Sequence, residues 1–510
     1  MKFFKKATLR LSVSTLVLLS VISGITGVAG AVRVGATLGS AAGSRTVTAP
    51  SWHKCNKQFL CTFLPVPLSY KTPSLGSIKI AVVESPALSG PGAPDIFINP
   101  GGPGLSGVQF LESEYKGFPL SVRKSFNLIS WDPRGVGQSD PVTCLTNAQQ
   151  MRSYLALNPD PSTKKEINAD IAGVKNFVSL CRKHTSKVLL ENISTANDAR
   201  DLNLLRMDLG QSKLNYLGFS YGTYLGETYA QMFPHTVRAM TLDGVVNPDI
   251  TTLQADAAQS MGFENELNGF FKYCDHNSTC SQGLPGGAAS QFGQIMKQFK
   301  NGSTVVGQLK AQYGGNVIVN YAIALLGTIA ALYSPKTWPL LGVGLAAILS
   351  TGDGQVLAGL AYGYAGLQLN GKFTNQDAAN TAISCVDRPS LGSLSQLEKD
   401  ARRLDTTYPD FGGSVVWSNL PCLFWPVKSQ GSPKVIHAPG APTILLVGST
   451  GDPATPYQWA KSVKAQLGNA VLLTRVGSGH LGYFASVCVQ GYVDNYFANL
   501  RLPKANTVCH

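Results

Sequence analysis

The sequence predicts an α/β protein with a mostly parallel, doubly wound sheet, helices on both faces and a helical region inserted late in the chain. Three observations predict this class. Short apolar runs alternate with helical patterns in the first half, the pattern turns helical over residues 247–440, and apolar runs resume from residue 441. Strands that alternate with helices are typical of parallel sheets, because each parallel pair needs a crossover connection.

Length and composition agree with a large globular protein. The chain has 510 residues, of which 44% are hydrophobic and 14% charged, and its formal charge is +13. This composition excludes a disordered chain, a collagen or a coiled coil. Beyond the first ten residues Lys and Arg are scattered, so we interpret the positive charge as solubility or cell-surface affinity and expect no nucleic-acid partner.

The predicted strands are short apolar runs, several of which end at a turn. They cover residues 78–83, 95–99, 126–131, 214–217, 237–242, 443–447 and 471–476, and a helical pattern covers 195–209.

The inserted region contains two strongly apolar runs, 317–333 and 340–349. Each is at or below the roughly 18–20 residues that span a bilayer. We therefore expect buried or cleft-lining helices, and a transmembrane hairpin is the alternative.

The N-terminus has the three parts of a secretory signal. Lys2 to Arg10 is basic, Leu11 to Val28 is mostly apolar, and Ala29-Gly30-Ala31 fits the small-x-small cleavage rule. We expect residues 1–31 to be a removable signal peptide, with a membrane anchor as the alternative, and residues 32–50 to be a linker or pro-segment. The mature protein would then be secreted, with no membrane span.

All ten cysteines lie beyond this segment. An even number in an exported chain predicts disulfides, although ten cysteines allow on the order of a thousand connectivities. Pairing within short loops, and then in chain order, favours five bridges: Cys55–Cys61, Cys144–Cys181, Cys274–Cys280, Cys385–Cys422 and Cys488–Cys509. No CxxC pair or histidine cluster accompanies them, so we expect no metal site and no cofactor.

A candidate nucleophile follows the strand at 214–217. Gly218-Phe219-Ser220-Tyr221-Gly222 matches G-x-S-x-G, and a helical pattern comes after it. The motif alone is weak in a chain with 53 glycines. Between a strand and a helix it predicts a nucleophile elbow, whose small flanking residues permit a sharp turn that exposes the serine hydroxyl. An ordinary glycine-rich turn is the alternative.

A serine nucleophile needs a base, and the base needs an orienting carboxylate. Hydrolases with this elbow carry them in the order Ser, Asp or Glu, His. Asp452 follows the strand at 443–447 on a tight loop, and His480 follows the strand at 471–476. Because both lie at the sheet edge expected for Ser220, we predict a Ser220-Asp452-His480 triad rather than a turn residue and a surface histidine.

The oxyanion that forms during acyl transfer needs backbone donors. We expect one from the N–H of Tyr221, directly after the nucleophile. The second is expected from the loop 99–104 (Asn-Pro-Gly-Gly-Pro-Gly), in which the two prolines have no N–H. Gly101, Gly102 or Gly104 must donate, and we favour Gly102.

With these motifs the chain resembles the prolyl- and tripeptidyl-aminopeptidase branch of the α/β-hydrolases. The resembling segments are Cys55 to Tyr70, Asn-Pro-Gly-Gly-Pro-Gly (99–104), Trp-Asp-Pro-Arg-Gly-Val-Gly-Gln-Ser (131–139), Gly-Phe-Ser-Tyr-Gly-Thr-Tyr-Leu-Gly (218–226), Leu-Asp-Gly-Val (242–245), Gly-Asp-Pro-Ala-Thr-Pro (451–456) and Gly-His (479–480). Leu481 stands where many members have Gly. The resemblance implies a hydrolase core over 51–246 and 441–510, with a helical cap over 247–440.

The resemblance also implies a secreted serine exopeptidase that releases short N-terminal fragments or residues from peptides. Such an enzyme must bind a free α-amine, so a carboxylate should line the cleft. Asp387 is the candidate, with Glu264 and Glu266 as others; a solvated or salt-bridged acid is the alternative for each. A secreted carboxylesterase or lipase with the same triad remains the main rival, because the apolar cap residues 317–349 would suit an acyl chain. A non-enzymatic binding protein is the other alternative, and an incomplete triad would favour it.

Overall fold

The computed structural model describes residues 50–309, 315–368 and 370–510. The predicted signal peptide (1–31) and the predicted linker or pro-segment, apart from its last residue Pro50, lie outside the described residues. Both assignments therefore stay predictions.

The centre of the described chain is a ten-stranded sheet with the strand order β1-β2-β3-β5-β4-β6-β7-β10-β11-β12, and a separate hairpin is formed by β8 and β9. The strands are β1 (His53–Asn56), β2 (Phe59–Pro67), β3 (Ser77–Ser85), β4 (Asp95–Asn99), β5 (Asn127–Trp131), β6 (Leu214–Phe219), β7 (Val237–Asp243), β8 (Val305–Gln308), β9 (Asn316–Val319), β10 (Ile444–Gly451), β11 (Ala470–Ser478) and β12 (Val508–Cys509).

Strand direction changes across the sheet. β1, β2 and β3 are antiparallel neighbours, and β3 is also antiparallel to β5. From β5 to β12 every neighbouring pair is parallel. The predicted α/β-hydrolase fold with a mostly parallel sheet is confirmed, and each predicted strand lies at β3, β4, β5, β6, β7, β10 or β11.

The helices of at least five residues connect and cover these strands. They are α1 (Gly107–Glu114), α2 (Leu120–Ser125), α3 (Ala148–Leu155), α4 (Lys164–His184), α5 (Lys187–Glu191), α6 (Thr195–Asp208), α7 (Tyr221–Met232), α8 (Thr252–His276), α9 (Ser278–Gly283), α10 (Ala288–Lys300), α11 (Tyr321–Leu332), α12 (Trp338–Thr351), α13 (Gln355–Tyr364), α14 (Gln376–Asp387), α15 (Leu394–Thr407), α16 (Gly412–Trp417), α17 (Leu420–Phe424), α18 (Tyr457–Leu467) and α19 (Val487–Asn499).

The central strands are buried on both faces. Along β4, Phe97 belongs to the apolar core on one face of the sheet, whereas Ile96 and Ile98 belong to the core on the other. β10 repeats the pattern, because Leu446 belongs to the same core as Phe97 and Leu445 to the same core as Ile96. Near-continuous apolar runs are what parallel strands covered by helices require, since successive side chains point to opposite faces.

Between β7 and β10 the chain is mostly helical and has an apolar core of its own. α8, α10, α11, α12 and α13 contribute to it, through buried side chains such as Phe270, Phe292 and Leu341. Among the described residues, no helix combines the length and apolar character needed to cross a membrane.

The apolar run 317–333, expected to be one helix, is divided. Val317–Val319 belongs to β9, and α11 begins only at Tyr321. Asn320 separates the two, because its side-chain Oδ1 accepts a hydrogen bond from the N–H of Ile323 at 3.1 Å and so caps the helix. A β-branched Val-Ile-Val triplet before a capping residue favours a strand. The summed hydropathy of the run 317–333 does not reveal this strand.

The five predicted disulfides are all present: Cys55–Cys61, Cys144–Cys181, Cys274–Cys280, Cys385–Cys422 and Cys488–Cys509. The last of these ties the final strand β12 to α19. Five bridges in one chain are typical of proteins that mature in an oxidising compartment.

Candidate active site

Ser220 lies on the tight turn between β6 and α7, as the G-x-S-x-G motif predicts. Its backbone has φ 53° and ψ −124°, a strained conformation for a residue with a side chain. A Cβ on Gly218 would lie 2.4 Å from the carbonyl oxygen of Gly222, and one on Gly222 would lie 2.6 Å from that of Asn99. The turn therefore requires glycine at both flanking positions.

Asp452 and His480 are hydrogen-bonded to each other, as predicted. The Nδ1–H of His480 donates to the two carboxylate oxygens of Asp452, at 2.8 and 2.9 Å. Asp452 also accepts from the N–H groups of Ala454 and Thr455 and from the Thr455 hydroxyl, at 3.0, 2.8 and 3.0 Å. The side chain of Asp452 is 0% exposed and that of His480 is 8% exposed. The carboxylate thus orients the imidazole through Nδ1 and leaves Nε2 outside this hydrogen bond.

The end of β7 connects this pair to the nucleophile turn. The N–H of Ser220 donates to the carbonyl oxygen of Asp243 at 2.9 Å. The next residue, Gly244, packs against the imidazole, since a Cβ there would lie 3.2 Å from Cε1 of His480. Ser220 and His480 therefore both lie next to the backbone segment formed by Asp243 and Gly244.

The carboxylate of Asp243 anchors the chain that follows His480. It accepts hydrogen bonds from the N–H of Gly482 at 2.9 Å and from that of Tyr483 at 2.8 Å. Burial raises the pKa of Asp243 to about 6, against the lowering effect of these two N–H groups. Leu481, between His480 and Gly482, has a φ of 72°, in the left-handed region that favours glycine, the residue many resembling proteins carry there.

The loop 99–104 packs directly against the nucleophile turn. A Cβ on Gly101 would lie 2.3 Å from the carbonyl oxygen of Phe219, so the two backbones touch. The N–H of Gly101 already donates to the side chain of Asn99 at 3.0 Å. Gly104 packs against α14, where a Cβ would lie 2.6 Å from the carbonyl oxygen of Gln376. Gly102 lines a cavity together with Ser220 and Tyr221, and its place in the oxyanion hole stays a prediction.

The Trp-Asp-Pro-Arg segment (131–134) supports the glycine loop 99–104. Asp132 accepts from the Ser106 hydroxyl at 2.5 Å and from the N–H of Val108 at 3.1 Å, which holds the start of α1 next to the glycine loop. Arg134 is fully buried and makes two hydrogen bonds of 2.7 Å to Asp201. The segment is structural: neither acid nor base in it lines the cavity of Ser220.

A cavity opens in front of Ser220 between the sheet edge and the helical insertion. Residues of both parts line it, including Gly102, Ser220, Tyr333, Asp387 and Thr455. Of the described residues that line it, Asp387 is the one acid. Asp387, the acid predicted from the sequence to line the cleft, lies on this cavity, and its binding of a substrate amine stays a prediction.

Asp387 ends α14 and is joined to the nucleophile turn by hydrogen bonds. Its Oδ2 accepts from the N–H of Thr195 at 2.9 Å and from the Thr195 hydroxyl at 2.5 Å. That hydroxyl also forms a short hydrogen bond with the hydroxyl of Tyr221. Burial raises the pKa of Asp387 to about 6, and the hydrogen bonds from Thr195 act in the opposite direction.

The other two acids proposed for amine binding lie elsewhere. Glu264 accepts a hydrogen bond from the N–H of Asp410 at 2.8 Å and is not among the cavity-lining residues. Glu266 is 3% exposed and lies behind the Asp452 loop, against Gly451. Neither is placed to meet a substrate amine in this cavity.

Sequence reasoning did not find Thr195, Thr455 or Tyr333. Thr455 lies in the Gly-Asp-Pro-Ala-Thr-Pro segment, three residues after Asp452, a spacing that favours a side-chain hydrogen bond to Asp452. Tyr333 accepts a hydrogen bond at its carbonyl oxygen from the N–H of His480 at 2.8 Å, and its ring meets the imidazole edge to face at 5.3 Å. No local pattern reveals a contact between residues this far apart in sequence.

The sheet, the strand–turn–helix at Ser220 and the Asp452–His480 pair together define a protein of the α/β-hydrolase class. Comparison with protein families agrees: the model of the alpha/beta hydrolase fold matches residues 94–283, and the model of the TAP-like proteins matches residues 408–509. The chain belongs to the TAP-like serine hydrolases of the α/β-hydrolase family, and it is a serine hydrolase.

Relatives align over most of the chain. Serine protease Hip1 of Mycobacterium tuberculosis is 33% identical over 457 residues, which cover 88% of this chain and 87% of the relative. The tripeptidyl aminopeptidase of Streptomyces lividans is 29% identical over 465 residues, which cover 89% and 84%. Carboxylesterase B of Mycobacterium tuberculosis is 30% identical over 488 residues, which cover 91% of each chain. The expected family is confirmed, and it contains peptidase-named and esterase-named relatives.

Proposed function

We propose that this serine hydrolase is a secreted exopeptidase that releases short N-terminal fragments or residues from peptides. The observation that carries the proposal is the position of Asp387, the one acid among the described cavity-lining residues, in the same cavity as Ser220. The relatives named serine protease and tripeptidyl aminopeptidase support a peptide substrate.

In the proposed mechanism, Ser220 attacks the scissile carbonyl carbon while Nε2 of His480 takes the hydroxyl proton. Asp452 holds Nδ1 and stabilises the imidazolium that forms. His480 then donates that proton to the leaving amine, the C–N bond breaks, and the acyl group remains on Ser220. Water, activated by the same imidazole, releases the acyl group and restores the serine.

The N–H groups of Tyr221 and Gly102 would stabilise the oxyanion during both steps. Donors of this kind contribute about 3–4 kcal/mol each, because they are fixed before the reaction and are shielded from water. The contact between Gly101 and the carbonyl of Phe219 keeps the two donors on facing backbone segments.

Asp387 would bind the α-ammonium group of the substrate. Oδ2 is held by Thr195, and Asp387 is among the residues that line the cavity. A carboxylate already oriented by two hydrogen bonds loses little entropy when it binds an ammonium ion. A free amine at a fixed distance from Ser220 would limit cleavage to bonds near the N-terminus.

We further propose that the helical region 247–440 is the cap of this site. α8 contributes Thr252 and Gln259 to the cavity, and α14 contributes Ile383 and Asp387. Residues 1–31 would direct the chain to export, and the five disulfides support maturation in an oxidising compartment.

A secreted carboxylesterase is the second candidate, because one of the relatives is named carboxylesterase B. The apolar cap residues offered for an acyl chain contribute little to the cavity, since Tyr333 is the one residue of 317–349 among those lining it. Their side chains instead form the core of the helical region.

The test uses chromogenic anilides that carry one to three amino acids, each with a free and with a blocked N-terminus, beside simple aryl esters. Ser220→Ala is the control for contaminating enzymes. Cleavage of the unblocked peptidyl anilides alone supports the exopeptidase and gives the fragment length. Turnover of esters without any anilide turnover contradicts it and leaves the esterase.

A further inference from the structure

Glu266 is a buried acid that the mechanism above does not use. It lies on α8, in the helical region, and is 3% exposed. Its side chain reaches the loops that carry the proposed base and acid: a Cβ on Gly451, the residue before Asp452, would lie 2.8 Å from Oε1 of Glu266. Gly451 is also paired in register with Ser478, two residues before His480.

The charged groups that act on Glu266 are Asp452, on one of these loops, and Arg475, in β11. Burial raises the pKa of Glu266 to about 7; the Ser478 hydroxyl lowers it, the charge of Asp452 raises it, and Arg475 and the N–H of Gly479 lower it. Asp410, just before α16, is the acid that faces α8 from that side. It interacts with Glu264 and not with Glu266. Glu266 is therefore directed at the Asp452–His480 loops rather than at its own helical layer.

Arg475 of β11 holds the same turn from the sheet side. Its guanidinium donates to the carbonyl oxygen of Ser478 at 3.1 Å and to the Ser449 hydroxyl at 3.3 Å. The turn at 478–480 thus lies between a cation anchored in the sheet and an acid anchored in the helical region.

The burial of Glu266 in this place is unfavourable for the stability of the fold. Its Oε2 is buried without a hydrogen-bond partner among the described residues. A buried polar atom without a partner lowers the stability of a fold, so an uncharged side chain of the same shape would be tolerated or preferred. Residues retained at a cost in stability are common at sites where they serve activity.

We propose that Glu266 is a positioning residue of the active site, through which the helical region holds the turn that carries His480. The inference rests on the proposed triad. Ionised Glu266 adds negative charge near Asp452, which stabilises the imidazolium form of His480 and hence the transition state in which that imidazolium forms. It acts on the reaction through His480 and does not touch the substrate.

The expected effect has a definite sign. Burial raises the pKa of Glu266 to about 7, so the carboxyl is ionised above that pH and neutral well below it. Above pH 7, Glu266→Gln should react about three- to tenfold more slowly than the wild type, because the imidazolium is less stabilised. Well below pH 7 the difference should shrink, because the wild-type carboxyl has lost the same charge.

The experiment measures the rate at which an alkyl fluorophosphonate labels Ser220, between pH 5 and pH 9, in the full-length protein. Glu264→Gln is the matched control: it removes an acid two residues away on α8, whose pKa burial also raises to about 7. Glu266→Asp keeps a carboxyl but withdraws it from Gly451, so it should slow labelling by less than Glu266→Gln does. Melting temperatures accompany each rate.

The proposal is supported if Glu266→Gln melts no lower than the wild type, labels more slowly above pH 7 and approaches the wild-type rate at pH 5, while Glu264→Gln matches the wild type. A Glu266→Gln profile that superimposes on the wild type overturns it, as does an equal, pH-dependent loss in Glu264→Gln. Should Glu266→Gln fail to fold, a Glu266→Asp profile equal to the wild type overturns it.

The two proposals fail in different ways. Labelling of wild-type Ser220 without cleavage of unblocked peptidyl anilides overturns the exopeptidase and leaves the role of Glu266 standing. Absence of labelling at Ser220 overturns the triad and the role of Glu266 together.

Discussion

Asn in place of Asp387 should remove the charge that binds the substrate amine while the fold remains intact. Thr195 can donate to an amide oxygen as it does to the carboxylate, so the link to Tyr221 is kept. A hydrogen bond to a charged partner contributes about 2–3 kcal/mol, which corresponds to roughly a 30- to 150-fold loss in kcat/KM for substrates with a free amine. Substrates with a blocked amine have no such contact and should change by less than about threefold.

The pH dependence of kcat/KM follows from the two groups that form the ion pair, the Asp387 carboxylate and the substrate α-amine. Burial raises the pKa of Asp387 to about 6, so its carboxylate is lost as pH falls below 6. The substrate α-amine, with a pKa of about 8, loses its charge above that value. The ratio of kcat/KM between wild type and Asp387→Asn should therefore be largest between about pH 6 and 8 and fall on both sides.

The free energy of unfolding distinguishes a role of Asp387 in amine binding from a structural role. The folded pKa of Asp387 lies above the unfolded value of about 3.9, so at neutral pH ionisation of this carboxyl opposes folding. Asp387→Asn should therefore raise the free energy of unfolding at pH 7, by about 1–3 kcal/mol. Asp377→Asn is the matched control: Asp377 lies on the same helix, burial raises its pKa to about 7, and it is not among the cavity-lining residues.

Steady-state assays on one peptidyl anilide, with its amine free and acetylated, measure these ratios. Equal losses for the free and the acetylated substrate would refute the reasoning, since Asp387 would then support the site without binding the amine. An equal loss in Asp377→Asn would refute it as well.

Two further substitutions test the supports of the site. Gly101→Ala should lower kcat at least about 100-fold, because the new Cβ would lie 2.3 Å from the Phe219 carbonyl oxygen and displace the oxyanion loop. Gly76→Ala is the control, because Gly76 has a similar positive φ and open space around it; it should lower the free energy of unfolding by about 1 kcal/mol and leave activity unchanged. Steady-state kinetics and urea unfolding measure these effects. Arg134→Met should destabilise the protein by about 3–5 kcal/mol in the same unfolding assay, since Asp201 is left buried without its cation; a loss below 1 kcal/mol would contradict the structural role of this pair.

Much of the sheet could be predicted because its central strands are buried on both faces. A strand such as Asp95–Asn99 is a short apolar run that ends at a turn, and this signal is local. β1 and β2 were missed: β2 alternates exposed and buried residues along an antiparallel edge and contains Pro65 and Pro67. β12 has two residues, too few for any periodicity.

The candidate triad could be predicted for a related reason. Ser220 and Asp452 directly follow a strand, His480 follows one after a single residue, and parallel strands bring their carboxyl ends to one edge of the sheet. The groups that support them come from distant segments. Thr195 meets Asp387 across 192 residues, and Glu266 reaches Gly451 from another helix, so only the folded chain reveals these contacts.

The central claim is that Ser220 carries an acyl group derived from the N-terminus of a peptide. Intact-mass analysis of enzyme quenched in acid within milliseconds of mixing with an unblocked peptide tests it most directly. The expected result is an increase in intact mass equal to a short N-terminal acyl group, which digestion then locates on the peptide that contains Ser220, and no increase in Ser220→Ala. An adduct formed only with aryl esters, or equally with acetylated peptides, would contradict it.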